Sequence, residues 1–100
     1  MSGTAPPPVI DAAARPALLR GVRVHRDEVR GVWALLAPER VLKLDPIAAA
    51  VLSEIDGERT FGEVVQALAD KYDAPAERIA ADASRLILTL ADRVMAEVRA

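Results

Sequence analysis

No cysteine occurs among the 100 residues, so disulfide staples, thiolate metal sites and thiol catalysis are all excluded. Histidine is almost as scarce: His25 is the only one. It sits in an alternating stretch among arginines with no second ligand at a metal-binding spacing, and reads as a surface strand residue. The five glycines are isolated, at positions 3, 21, 31, 57 and 62, so no glycine-rich phosphate loop exists. Ser53, Ser84, Thr60 and Thr89 have no histidine or lysine at a spacing that would activate a hydroxyl. No apolar run approaches the length of a membrane-spanning helix. The N-terminus lacks the basic and then apolar stretch of a secretory signal. The expectation is a cytoplasmic chain that is not an enzyme and needs neither metal nor cofactor.

What is present suits one small domain. Hydrophobic residues make up 52% of the chain and charged residues 28%, within the range of ordinary globular proteins. The net charge is −2 and the pI about 5.3. The charge is unevenly spread. Between Arg15 and Lys43, Arg15, Arg20, Arg23, Arg26, Arg30, Arg40 and Lys43 face only Asp27, Glu28 and Glu39, whereas acids dominate from Leu44 onward. Such asymmetry concerns partners and not fold.

Residues 1–18 hold Pro6, Pro7, Pro8 and Pro16 among small residues. They offer little apolar surface to offset the entropy of ordering, and read as a disordered tail or linker remnant ahead of a folded domain at 19–100. Residues 22–26 alternate as a first strand, residues 32–36 form a second, and residues 41–44 a third. Ala37-Pro38-Glu39-Arg40 joins the last two as a hairpin, with proline where a type I turn favours it. Leu42 and Leu44 point to one face of the third strand, Val41 and Lys43 to the other.

Asp45-Pro46 is a helix start, with an aspartate cap and proline in the first turn. Thr60-Phe61-Gly62-Glu63 is a capping box opening a second helix that runs to about Tyr72. Asp73-Ala74-Pro75 breaks it, and a third helix is expected to reach towards Val98. Ile79, Ala83, Leu86, Ile87, Leu90, Val94 and Val98 share a face of that helix, which Ser84, Leu88, Ala91 and Met95 widen sideways. The arc exceeds the stripe that packing on one layer needs, so Leu88 and Met95 either cover a neighbour or line a groove. The fold class is therefore α+β: a three-stranded antiparallel sheet followed by three helices, in a layout like a winged helix-turn-helix.

That layout invites comparison with nucleic-acid binders, which is the alternative function. A recognition helix needs a positive exposed face, yet the second helix offers Glu63, Gln66, Asp70 and Lys71, and the third interleaves Arg78, Arg85 and Arg93 with Asp82 and Asp92. The surface chemistry argues against nucleic acid. Strand addition of an extended peptide to the open edge of the third strand remains, and the basic Arg40 and Lys43 favour an acidic one.

The segment "LLAPERVLKLDPIAAAVLSEIDGERTFGEVVQAL", with its Pro-Glu-Arg turn, its Leu-Lys-Leu strand ending in Asp-x-x-Ala-Ala and its Ile-Asp-Gly-x-x-Thr, resembles the PqqD family. The likeness continues more weakly to the C-terminus. It departs where Arg93 is followed by Val94, a position at which family members often carry glycine. The resemblance implies a non-catalytic peptide chaperone built on a recognition element for ribosomally made, modified peptides. It would bind the precursor peptide PqqA beside the third strand and present it to the radical SAM enzyme PqqE. Neither nucleic acid nor membrane would be a partner, and the chain would act as a monomer unless its edge pairs with a second copy. Carried over, the resemblance places the peptide on Arg40, Val41, Leu42, Lys43 and Leu44, and across a groove on Ser84, Leu88, Ala91 and Met95.

Overall fold

The computed structural model describes residues 9–100, so the first eight residues of the expected tail lie outside the described part. The elements run β1 (Arg15–Leu18), β2 (Arg23–Asp27), β3 (Val32–Ala37), β4 (Arg40–Leu44), α1 (Pro46–Glu54), α2 (Phe61–Tyr72), α3 (Ala76–Asp92) and β5 (Ala96–Arg99). Strands β2, β3 and β4 form the expected antiparallel sheet in that order, and β1 pairs with β5 as a separate two-stranded ribbon. The class is α+β. Leu35 on the central strand is fully buried, with Leu52, Phe61, Val64 and Ile87 from the three helices around it. Val24, Leu42 and Leu44 close over this core from the sheet side.

The helix starts follow local chemistry. Asp45 Oδ1 accepts from the Ala48 N–H at 2.7 Å, and Pro46 occupies the first turn, where no partner for its nitrogen is missed. At α2 the Thr60 hydroxyl accepts from the Glu63 N–H at 3.2 Å and Glu63 Oε1 accepts from the Thr60 N–H at 2.8 Å. Those bonds from the Thr60 backbone and hydroxyl hold the Glu63 carboxyl below the usual carboxylate range.

Three expectations need correction. The first is the tail. Residues 9–18 are packed: Ile10 is 7% exposed and Pro16 is fully buried. Their carbonyls also complete the start of α2, Ala14 O accepting from the Phe61 N–H at 2.7 Å and Ala12 O from the Gly62 N–H at 2.9 Å. The first N–H groups of a helix have no partner within it, so this segment supplies what the helix cannot. The second is the hairpin turn. Glu39 has φ 62°, and a left-handed third position after proline belongs to a type II turn and not type I.

The third is the end of the last helix. It stops at Asp92 instead of running towards Val98. Val94 adopts φ 58°, its N–H donates to Ala91 O at 3.0 Å, and the Met95 N–H reaches back to Leu90 O at 2.9 Å. This pair of bonds is the Schellman closure, normally built on glycine. Burial of Met95 and Ala96 together with the β1–β5 ladder outweighs continued helix. A branched residue in the left-handed region carries about 1–2 kcal/mol of strain, while glycine costs about 0.5–1 kcal/mol more to order. Val94→Gly is therefore expected to stabilise the protein by up to about 1 kcal/mol, which for a domain this size raises the thermal midpoint by several degrees. A lower midpoint would show that the valine side chain, though 74% exposed, contributes packing that exceeds its strain.

Candidate peptide-binding edge

Strand β4 terminates the three-stranded sheet, and among the described residues no other strand pairs with its outer side. The register Ala37↔Arg40, Leu36↔Val41, Leu35↔Leu42, Ala34↔Lys43 and Trp33↔Leu44 decides which backbone groups are free. A turn of this kind closes with the N–H of its fourth residue, here Arg40, turned towards β3. Hydrogen-bonded and non-bonded pairs then alternate, so Leu42 and Leu44 also spend their backbone groups on β3, while Val41 and Lys43 turn theirs outward. The side chains obey the same alternation. Leu42 and Leu44 rest against the core, whereas Val41 is 71% exposed and Lys43 is exposed.

Of the residues expected across the groove, the structure keeps some away from this edge. Ser84 is completely buried, and its hydroxyl accepts from the Ile10 N–H at 2.9 Å. Met95 lies beyond the helix end, 2% exposed, with its carbonyl accepting from the Leu19 N–H at 3.0 Å. Leu88 and Ala91 are half-buried on the Ser84 flank of α3, about 140–200° around the helix from Leu86 at 100° per residue. The opposite flank shares depressions with residues at the two ends of β4. At the Leu44 end, Asp82 and Leu86 share one depression with Asp45 and Ile47. At the Arg40 end, Arg93 shares another with Arg40 itself. Leu86 and Arg93 are seven residues apart and so lie on the same face. The periodicity of α3 shows both flanks equally; only the packed N-terminal segment, which occupies the Ser84 side, settles which one is left open.

The chemistry along this edge is that of a binding surface. Main-chain donors and acceptors stand free on Val41 and Lys43, apolar Leu86 and Ile47 flank one end, and arginines flank the other. Among the described residues, no group of three His, Cys, Asp or Glu side chains is placed to hold a metal ion. Nor is any described helix long and apolar enough to cross a membrane.

Residues 33–95 match the family model described as "Coenzyme PQQ synthesis protein D (PqqD)". The chain belongs to the PqqD family. The "PqqA binding protein" of Rhizobium meliloti is 44% identical over 95 residues, covering 95% of this chain and 97% of that one. The protein of the same description from Xanthomonas axonopodis pv. citri is 48% identical over 77 residues, 77% of this chain and 84% of its own. Two solved structures are similar. One is the solution NMR structure of the PqqD truncation of Methylobacterium extorquens PqqCD, described as a functional and stand-alone recognition element for ribosomally synthesised and post-translationally modified peptides. It is 44% identical with a TM-score of 0.72, and the match covers 82% of this chain and 87% of that one. The other is crystalline PqqD from Xanthomonas campestris, 41% identical with a TM-score of 0.52, covering 86% and 97%. The PqqD match begins inside β3 and ends at Met95, so it contains the β3–β4 hairpin and the whole of α3 that frame the edge.

Proposed function

We propose that this chain is a non-catalytic cytoplasmic chaperone of pyrroloquinoline quinone biosynthesis, which takes up the precursor peptide PqqA as an added strand on β4 and presents it to the radical SAM enzyme PqqE. The single observation that carries the reading is the open outer side of β4, with free backbone groups on Val41 and Lys43, in a chain whose relatives are described as PqqA binding proteins. Strand addition draws affinity from main-chain hydrogen bonds and specificity from alternate side chains. The peptide would lie along Arg40, Val41, Leu42, Lys43 and Leu44, with Asp82 and Leu86 of α3 and the following Arg93 as the opposite wall in place of the Ser84 flank. Leu42 and Leu44 contribute their positions in the strand and keep their side chains in the core. A second copy pairing through the same edge would compete with the peptide, so the working state is the monomer.

Amide NMR titration with synthetic PqqA tests the site. Shifts are expected at residues 40–45 and on the Leu86 flank of α3, and shifts confined to α2 would relocate the peptide. Val41→Pro removes one outward donor without touching the β3 ladder. One hydrogen bond contributes about 0.5–1.5 kcal/mol, so PqqA affinity should fall by roughly 2- to 13-fold. Unchanged affinity in a folded Val41→Pro variant would sink strand addition.

A further inference from the structure

Three turns converge at the beginning of β4, and each delivers an arginine. Arg20 stands in the turn between β1 and β2, Arg40 is the first residue of β4 after the hairpin turn, and Arg93 follows the last residue of α3. All three line one shallow cavity of about 280 Å³, together with Val22, Pro38 and Val94. The turns are locked to one another. The Leu19 N–H donates to Met95 O at 3.0 Å, the Val22 N–H donates to Leu19 O at 3.0 Å, and a side chain at Gly21 would already touch Pro38 at 3.5 Å.

No carboxylate lines this cavity. The ion pairs found among the described residues belong to Arg30, Arg59, Arg85 and Arg99, and none involves Arg20, Arg40 or Arg93. Glu39 and Asp92 adjoin in sequence, but neither reaches into the cavity. Three like charges held together by rigid turns, and left without a partner by the fold, make a site that gains from an anion. Guanidinium groups suit a carboxylate in particular, because their fork of N–H donors matches its two oxygens. The opposite end of the edge is different in sign: Asp45 and Asp82 line the depression beside Leu44.

We infer that Arg20, Arg40 and Arg93 form a carboxylate-binding subsite at the Arg40 end of β4, which anchors an aspartate or glutamate side chain of the bound peptide. This inference rests on the strand-addition reading and adds polarity to it. With positive charge at one end of the edge and negative charge at the other, an extended peptide is held in one direction and one register, its acidic portion beside Arg40. An acidic peptide fits better than a nucleic acid, since the adjoining edge offers main-chain partners to a polypeptide and the rest of the surface is not positive.

The test uses calorimetric titration of the full chain and of Arg20→Gln, Arg93→Gln and the double variant. The probes are synthetic PqqA and a copy in which every aspartate and glutamate is replaced by its amide. All three arginines are exposed, so the variants should keep the wild-type thermal midpoint. Each single change should weaken PqqA binding about 3- to 5-fold and the double change about 10- to 25-fold, with a shallower salt dependence. The amide peptide should bind wild type and variants alike. If the double variant binds PqqA as wild type does while Val41→Pro still weakens it, the subsite is overturned and strand addition stands. If the wild-type chain does not bind PqqA at all, both fall. Binding of a single-stranded oligonucleotide that needs these arginines, alongside indifference of PqqA to the amide replacement, would also overturn the subsite in favour of a phosphate ligand.

Discussion

A chain shortened to begin at Leu19 is expected to lose on the order of 5 kcal/mol of stability, a large part of what a domain of this size possesses. The shortening removes Ile10, Ala14, Pro16 and Ala17 from the interior, where all are buried. It strips β5 of its ladder, since Arg15–Leu18 pairs residue by residue with Ala96–Arg99. Several donors lose their acceptors at once: the Gly57 N–H its bond of 2.9 Å to Pro16 O, and the Phe61 and Gly62 N–H groups their bonds to Ala14 O and Ala12 O. Ser84 loses the Ile10 N–H that its hydroxyl now accepts from. Urea unfolding of the full and shortened chains measures the difference. A shortened chain with the full midpoint would show that residues 9–18 only rest on a domain that folds without them.

Gly57→Ala should cost about 2–3 kcal/mol, the larger of the single-residue effects anticipated here. Gly57 has φ +79°, where an L side chain is strained by about 1–2 kcal/mol. Its new Cβ would also stand 3.2 Å from Ala17 Cβ, tight enough that one of them must give by a few tenths of an ångström, and on the guanidinium of Arg99. Arg99 can swing aside, but Ala17 is fixed by the β1–β5 ladder, so the turn itself must shift. That turn is otherwise tightly specified: Asp56 Oδ1 accepts from the Glu58 N–H at 2.9 Å and from the Arg59 N–H at 2.8 Å. Those two backbone bonds are the main reason the Asp56 carboxyl is held below its usual range. Gly31→Ala separates the two contributions. Gly31 has φ +67° with nothing within 4 Å of an added Cβ, so it should show the conformational cost alone. Equal losses at positions 57 and 31 in thermal or urea unfolding would mean that the close approach to Ala17 costs nothing. The Asp-Gly-x-x-Thr element is thus a structural joint between β1 and α2.

The contrast between the two ends of the chain shows what periodicity and turn chemistry can and cannot convey. The β3–β4 hairpin and the caps of α1 and α2 depend on residues within a few positions of one another, and Asp45, Thr60 and Glu63 bond as their spacing implies. The segment Arg15–Leu18 has no such signature. It holds a proline and few branched residues, and becomes a strand only because Ala96–Arg99 arrives beside it. Ala96–Arg99 in turn continues a helical pattern, and leaves it because Met95 gains more from burial than from another helical turn. Each is a tertiary override of local preference, and each makes sense only with its distant partner in place.

The sequence by itself determined the central sheet, the three helix starts, the absence of thiol chemistry and the basic character of the stretch that became β4. Side-chain alternation and the local caps of α1 and α2 signal the strands and helices, although the start of α2 also draws on the remote carbonyls of Ala12 and Ala14. The tertiary structure alone decided that the N-terminal segment belongs to the fold, that Ser84 and Met95 serve the interior, and that Asp82 and Leu86 share a depression with Asp45 and Ile47 while Arg93 shares one with Arg40. An amphipathic helix has two flanks to its apolar stripe, and which one is covered depends on a segment more than 70 residues away, as the bond between Ile10 and Ser84 shows.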